Sequence, residues 1–132
     1  MNQLEGIDPE LFTNLFATLT TLGADGDPQM TAVWFRVEDG TILISATARR
    51  RKVKNLTADP RCSLLIFHPT TGDYCVEIRG TAQVIDDLDY EIADRIVPRY
   101  NADFRNFDRP TDRRKAIIVS PERVIVTDVR SH

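Results

Sequence analysis

Alternating apolar and polar positions, together with many β-branched residues, predict that most of this chain forms β-strands. In the segment 41–47, Ile42, Ile44 and Ala46 alternate with Leu43 and Ser45, which is the two-residue period of a strand. Comparable runs predict strands at 17–23, 29–37, 41–47, 61–68, 73–85, 115–119 and 123–129. Six or seven short strands, interrupted by helices at two points, predict a mainly β protein built as a small antiparallel barrel.

The residues between these runs predict tight turns. Turns at 25–28 and 38–40 would join the first three strands as a meander, and a turn at 120–122 would separate the last two strands. Gly80 lies inside the 73–85 run. A glycine there predicts a bulge or sharp bend, which helps a sheet to close into a barrel.

Helical spacing of apolar residues is confined to three segments. The segment 8–16 predicts a short helix with Asp8 as its N-cap. A second helix is predicted from Thr47, as N-cap, to about Ala58, because Pro60 follows. The segment 86–100 predicts an amphipathic helix whose apolar face carries Leu88, Ile92, Ile96 and Val97.

The second helix begins with a concentration of positive charge. Five of the six residues at 49–54 are Lys or Arg, although the free N–H groups and the dipole at a helix N-terminus favour negative charge. An anion bound to these N–H groups and held by Arg50 and Lys52 would remove this conflict, and phosphate is the obvious candidate. The alternative is a solvated basic face or a nonspecific nucleic-acid patch.

Composition narrows these alternatives. The 132 residues suit one domain, 1–132, and the net charge of −3 makes nucleic-acid binding less favoured. No apolar run long enough to span a membrane and no signal-peptide pattern is present, so we expect a cytoplasmic protein with no membrane partner. Cys62 and Cys75 are expected to be buried free thiols. His68 and His132 are too scattered to predict a metal site.

Several motifs, taken in order, carry a resemblance to a known family. They are the segments 16–22, 26–35, 41–56, 59–61 and 76–82, with 50–56 (RRKVKNL) followed by 59–61 (DPR) as the most specific. The chain resembles the pyridoxamine 5'-phosphate oxidase-like split β-barrel superfamily, and most closely its F420-dependent flavin/deazaflavin oxidoreductases of the FDOR-B type. The resemblance covers nearly the whole chain.

This resemblance implies a homodimer of split barrels with two cofactors in grooves between the subunits. Arg50 and Lys52 would hold the cofactor phosphate. The route from the phosphate to the ring would be lined by Ser45, Ala46 and Thr47. Backbone groups at the pyrimidine edge of the ring would come from Met30, Thr31, Ala32 and Val33. The cofactor itself carries the hydride, so no catalytic side chain is predicted.

The resemblance leaves two cofactors open. FMN ends in one phosphate, whereas coenzyme F420 carries a phosphodiester and a tail of several glutamates. Surplus cations at Arg49, Arg51 and Lys54 would suit that tail, which favours F420 over FMN. The sequence is therefore interpreted as an oxidoreductase that transfers a hydride from reduced F420 to a small conjugated acceptor. The alternative from another class is a carrier that binds a flavin, a deazaflavin or haem without turnover.

The same region also predicts assembly. Trp34 and Phe35 lie in a long apolar strand, and exposure of such a strand on a small barrel would leave an apolar patch in water. We therefore expect a homodimer that buries part of this strand, with Trp34 in the core or the interface rather than in catalysis.

Overall fold

The computed structural model describes residues 2–131, so His132 lies outside the described residues. The strands are β1 (Ala17–Leu22), β2 (Pro28–Val33), β3 (Arg36–Glu38), β4 (Thr41–Thr47), β5 (Arg61–His68), β6 (Thr71–Asp86) and β7 (Arg114–Asp128). The α-helices are α1 (Arg51–Ala58) and α2 (Ala93–Ile96). Short 3-10 helices cover Pro9–Thr13, Val97–Tyr100 and Phe104–Asn106.

The seven strands form one antiparallel sheet in the order β2-β1-β5-β6-β7-β4-β3. The two edge strands, β2 and β3, are consecutive along the chain and are separated by Trp34 and Phe35 alone. The sheet must therefore curl until its edges approach each other, and it encloses a core that includes Leu19, Phe35, Ile44, Ile78 and Ile117. This confirms the predicted mainly β, split-barrel fold.

The predicted meander is wrong, because the run 29–37 forms two strands rather than one. β2 pairs with β1, whereas β3 pairs with β4 on the far side of the sheet. Phe35 lies in the break with its side chain fully buried, and its N–H donates to the Tyr100 hydroxyl at 3.0 Å instead of to a neighbouring strand. A side chain from outside the sheet therefore satisfies the backbone where the ladder stops.

The predicted turn at 120–122 is also wrong, because β7 continues through it. Pro121 pairs with Gly80 of β6, and the register of the two strands shifts between Arg79 and Gly80. A Cβ atom at Gly80 would lie 2.1 Å from the carbonyl oxygen of Ser120, so only glycine allows the backbones to approach this closely. The bulge predicted at Gly80 is confirmed, and it accommodates a proline that cannot donate to the ladder.

The first and third predicted helices are shorter than expected. Asp8 does cap the first, accepting a hydrogen bond from the Glu10 N–H, but only a 3-10 helix follows. In the 86–100 segment the buried carboxylate of Asp87 accepts from the N–H groups of Ile92 and Ala93, at 3.0 and 2.9 Å. The helix therefore begins only there, and Leu88, predicted on its buried face, is 52% exposed.

The two cysteines are free, as predicted, but only Cys62 is buried, and Cys75 is half-buried. Burial raises the pKa of the Cys62 thiol to about 11. No helix between residues 2 and 131 has the length and apolar content needed to cross a membrane.

Candidate cofactor pocket

A pocket with a cavity volume of about 430 Å³ lies where β2, β4, the start of α1 and the segment 104–114 meet. Eight of the twelve predicted site residues line it, namely Thr31, Ala32, Ser45, Ala46, Thr47, Arg49, Arg50 and Lys52. The other four, Met30, Val33, Arg51 and Lys54, are not in the lining. Val33 is buried in the core, whereas Met30, Arg51 and Lys54 are exposed.

The start of α1 supplies free hydrogen-bond donors to this pocket. The helix begins at Arg51 with Arg50 as its N-cap, so the prediction of Thr47 as N-cap is wrong. Val53 and Lys54 donate their N–H groups to the Arg50 carbonyl, while the first-turn N–H groups before them have no acceptor among the described residues. No acidic residue occupies the first turn and no side chain caps it.

Thr47 has a different role from the predicted cap. The residue is only 4% exposed, and its hydroxyl oxygen has no hydrogen-bond partner among the described residues. Buried hydroxyls are normally satisfied, because desolvation without a partner is costly. Since Thr47 lines the pocket, a bound polar group is the simplest partner for this hydroxyl.

Positive charge in the pocket is only partly neutralised. Arg50 and Lys52 line it and form no ion pair among the residues described. The pKa of Lys52 lies below its ordinary value, because the ammonium group is desolvated by burial and is repelled by Arg50 and by Arg114. Two uncompensated cations beside free N–H donors are groups that favour an anion, so this end of the pocket is a candidate anion site.

The remaining cations of the 49–54 cluster are placed differently. Arg49 donates from Nε to the Asp112 carboxylate at 3.0 Å, and the Asp112 side chain is only 4% exposed. The Asp112 carboxylate accepts hydrogen bonds from the backbone N–H of Arg109 and from the side chain of Arg49, and these hold its pKa below the ordinary value. Arg49 is therefore already paired, while Arg51 and Lys54 lie exposed on α1 outside the lining.

Five lining residues were not among the predicted site residues: Trp34, Phe104, Phe107, Asp108 and Arg114. The pair of Arg114 and Asp108 is almost buried, at 6% and 7% side-chain exposure, and Arg114 also contacts the Ser45 hydroxyl at 3.3 Å. Phe104, Phe107 and Asp108 lie within the segment 101–110, which has no apolar period that predicts a buried face, and Arg114 follows that segment. Trp34 was predicted to be core or interface, and no sequence signal distinguishes that from a pocket wall.

Trp34 is held in the pocket wall by Tyr100. The two rings stack with centroids 4.4 Å apart and an angle of 7° between their planes. The Tyr100 hydroxyl accepts from the Phe35 N–H and donates to the Leu15 carbonyl at 2.7 Å. The strand break at Trp34 and Phe35 thus directs one aromatic ring to the core and the other to the pocket.

A family model for pyridoxamine 5'-phosphate oxidase matches residues 7–128. The chain belongs to this family. The resemblance predicted from the sequence is therefore confirmed. An F420H(2)-dependent biliverdin reductase of Mycobacterium tuberculosis is 33% identical to this chain over 109 residues, which are 83% of this chain and 77% of that protein.

Solved structures of other proteins share this fold. One, named F420 Reductase, is 26% identical with a TM-score of 0.78 and covers 92% of this chain and 97% of its own. A heme binding protein from Mycobacterium smegmatis is 20% identical, with a TM-score of 0.74, and covers 93% of this chain and 54% of its own. At that identity the second likeness shows the fold alone.

Proposed function

We propose that this member of the pyridoxamine 5'-phosphate oxidase family is an F420-dependent reductase that reduces a small conjugated acceptor. The observation that carries the proposal is the anion site in the pocket, where Arg50 and Lys52 are unpaired beside the free N–H groups of α1 and the unpartnered Thr47 hydroxyl. These groups match one phosphate of a cofactor. The names of the 33% identical relative and of the 26% identical structure favour F420 as that cofactor.

In this proposal each part of the pocket has one task. Arg50 and Lys52 bind the phosphate, and the Thr47 hydroxyl donates a hydrogen bond to it. β2 is an edge strand, and every second residue of it turns its N–H and C=O away from β1. These open backbone groups in the Thr31–Ala32 stretch would bind the pyrimidine edge of the ring and stabilise the negative charge that accumulates there on reduction. When bound, reduced F420 supplies a hydride from C5 of its ring, and a solvent proton completes the reduction of one double bond of the acceptor.

The choice between F420 and FMN depends on the cations outside the pocket. A 430 Å³ cavity does not enclose a tail of several glutamates, so this tail would lie over the exposed face of α1, within reach of Arg51 and Lys54. Arg49, also predicted to bind the tail, is paired with Asp112 and would have to exchange partners. FMN is the second candidate, because the anion site alone satisfies its single phosphate.

The proposal includes a homodimer with the cofactor groove between subunits. Phe35 does not support it, because its side chain is fully buried within one chain. Better support comes from β2, where Met30 is 68% exposed and shares a face with the exposed, pocket-lining Ala32. A partner that covers Met30 would also close the open side of the pocket.

Sedimentation at micromolar concentration tests this assembly. We expect the main species at twice the 15.0 kDa chain mass, and Met30→Asp should raise the monomer fraction and weaken cofactor binding together. Wild-type protein that sediments only as a monomer would refute the shared groove.

The function itself is tested by turnover. Purified protein with reduced F420 and a conjugated acceptor should oxidise F420 at a rate that scales with enzyme concentration, and heat-denatured protein should not. Tight F420 binding with no turnover on a panel of enones, quinones and linear tetrapyrroles would instead support the carrier alternative. Haem binding is a less favourable form of that alternative, because His68 pairs with Glu10 at 3.0 Å and does not line the pocket.

A further inference from the structure

The pocket has a second end whose chemistry differs from that of the anion site. Phe104 and Phe107 lie around Trp34, with ring centroids 5.6 and 6.5 Å from the indole and ring planes inclined by 41° and 79°. Phe107 is 63% exposed at the rim. Three aromatic rings converging on one cavity offer a large apolar surface with no hydrogen-bonding group on either phenyl ring.

A buried ion pair holds the two phenyl rings in place. Asp108, which directly follows Phe107, accepts from Arg114 Nε at 3.0 Å and from the Tyr90 hydroxyl at 2.5 Å. The Arg114 guanidinium carbon in turn lies 4.2 Å from the centroid of the Phe104 ring. The otherwise irregular segment 101–113 is thus fixed to the first residue of β7 at the point where it borders the pocket.

We propose that Trp34, Phe104 and Phe107 form the acceptor subsite, which takes a planar, apolar, conjugated ring system, and that Asp108 is a positioning residue for the two phenyl rings. This inference rests on the proposed reductase function. The deazaflavin ring carries carbonyl and N–H groups along its pyrimidine edge, and these need partners that phenyl rings cannot supply. The backbone groups that β2 turns away from β1 beside the pocket can supply them, so the aromatic end is left for the acceptor.

The variant Phe107→Ala tests the subsite. Steady-state KM and kcat would be measured with menadione, a planar bicyclic quinone, and with cyclohex-2-en-1-one, a small non-aromatic enone, and F420 affinity by equilibrium dialysis without acceptor. Loss of one aromatic contact should raise the KM for menadione about three- to tenfold. The KM for cyclohexenone and the Kd for F420 should stay within twofold of wild type, and Phe107→Trp should restore the KM for menadione.

Two further variants separate positioning from general damage. Phe67→Ala removes a phenyl ring that is 41% exposed and does not line the pocket, and it should leave all three constants unchanged. Asp108→Asn keeps the side-chain volume but weakens the anchor, so it should raise the KM for menadione as Phe107→Ala does while the Kd for F420 changes less than the KM.

Three results would overturn the assignment. An unchanged KM for menadione in Phe107→Ala with normal F420 binding overturns the subsite alone. A rise in the Kd for F420 as large as the rise in the KM for menadione shows that the rings hold the coenzyme instead. Failure of wild-type protein to bind F420 at all overturns the proposed function and the subsite together.

Discussion

Lys52 is the residue whose substitution separates ligand binding from stability most clearly. Its half-buried ammonium group has no ion-pair partner among the described residues, and desolvation by burial, followed by repulsion from Arg50 and Arg114, lowers its pKa. The positive charge of this side chain is therefore unfavourable in the ligand-free protein. Lys52→Met removes the charge and keeps much of the apolar stem, so this variant should bind a phosphate ligand worse and yet be no less stable without it.

The expected magnitude follows from the contact that is lost. A hydrogen bond between charged partners contributes roughly 1.5–3 kcal/mol, which corresponds to about a tenfold to hundredfold weaker Kd. Trp34 is the only tryptophan of the chain and lines the same pocket, so quenching of its fluorescence reports binding of F420 or FMN directly. Lys54→Met is the matched control for FMN and for F420 without its glutamates, because Lys54 is exposed on the same helix, lies outside the lining and would contact only the tail.

The effect of Lys52 on stability should depend on pH in a defined direction. Because the pKa of Lys52 in the folded protein is below its ordinary value of 10.5, the unfolded chain binds more protons at pH values between the two. The difference in the free energy of unfolding, wild type minus Lys52→Met, should therefore rise with pH across that window. Denaturant titrations of both proteins at several pH values measure this difference. A folded Lys52→Met that binds F420 as tightly as wild type would refute the phosphate assignment.

Three other changes test separate parts of the structure. The double variant Arg51→Gln, Lys54→Gln should weaken F420 binding by up to about tenfold, since each exposed contact contributes at most about 1 kcal/mol. Binding of FMN, and of F420 that lacks its glutamates, should not change. An equal loss of affinity for all three ligands would contradict a tail site on α1. Gly80→Ala should lower Tm by roughly 5–10 °C, because its Cβ would meet the Ser120 carbonyl, whereas Gly72→Ala in the same strand, with no atom within 4 Å, should change Tm little. Tyr100→Phe leaves the Phe35 N–H without its acceptor at a cost of about 1–3 kcal/mol; Tm should fall and the emission of Trp34 should shift to the red, and an unchanged Trp34 spectrum would show that Tyr100 does not position the indole.

The local pattern predicted the central strands well because their apolar residues are buried. In 41–47, Ile42, Ile44 and Ala46 lie in the barrel core, while Leu43 is buried on the other face of β4 in a second apolar cluster. Pairing was harder to predict, because it depends on contacts distant in sequence. The break at Trp34 and Phe35 depends on a hydroxyl 65 residues away, and nothing in the run 29–37 itself marks an interruption.

The predicted ends of strands and helices were wrong for a related reason. Pro121 is a turn signal in isolation, yet Gly80 on the neighbouring strand gives it a place inside β7. The helix predicted at 86–100 has the right apolar period, but Asp87 turns its carboxylate inward to cap Ile92 and Ala93. In both cases a partner side chain or backbone, rather than the local propensity, decides where the element begins or ends.

One end of the candidate pocket could be predicted from the sequence and the other could not. Its basic end was predictable, because cations at a helix start conflict with the helix dipole and so indicate an anion at Arg50 and Lys52. Its aromatic end was not, since Phe104, Phe107 and Asp108 lie in a segment without a regular apolar period, and their place in the pocket depends on contacts with Trp34 and Arg114.

Direct comparison of cofactor affinities tests the central claim of an F420-dependent reductase. Wild-type protein would be titrated with F420, with F420 lacking its glutamates and with FMN, following the fluorescence of Trp34 at one ionic strength. The account predicts the tightest binding for F420, weaker binding for the shortened coenzyme and the weakest for FMN. Preference for FMN over both deazaflavins would contradict it.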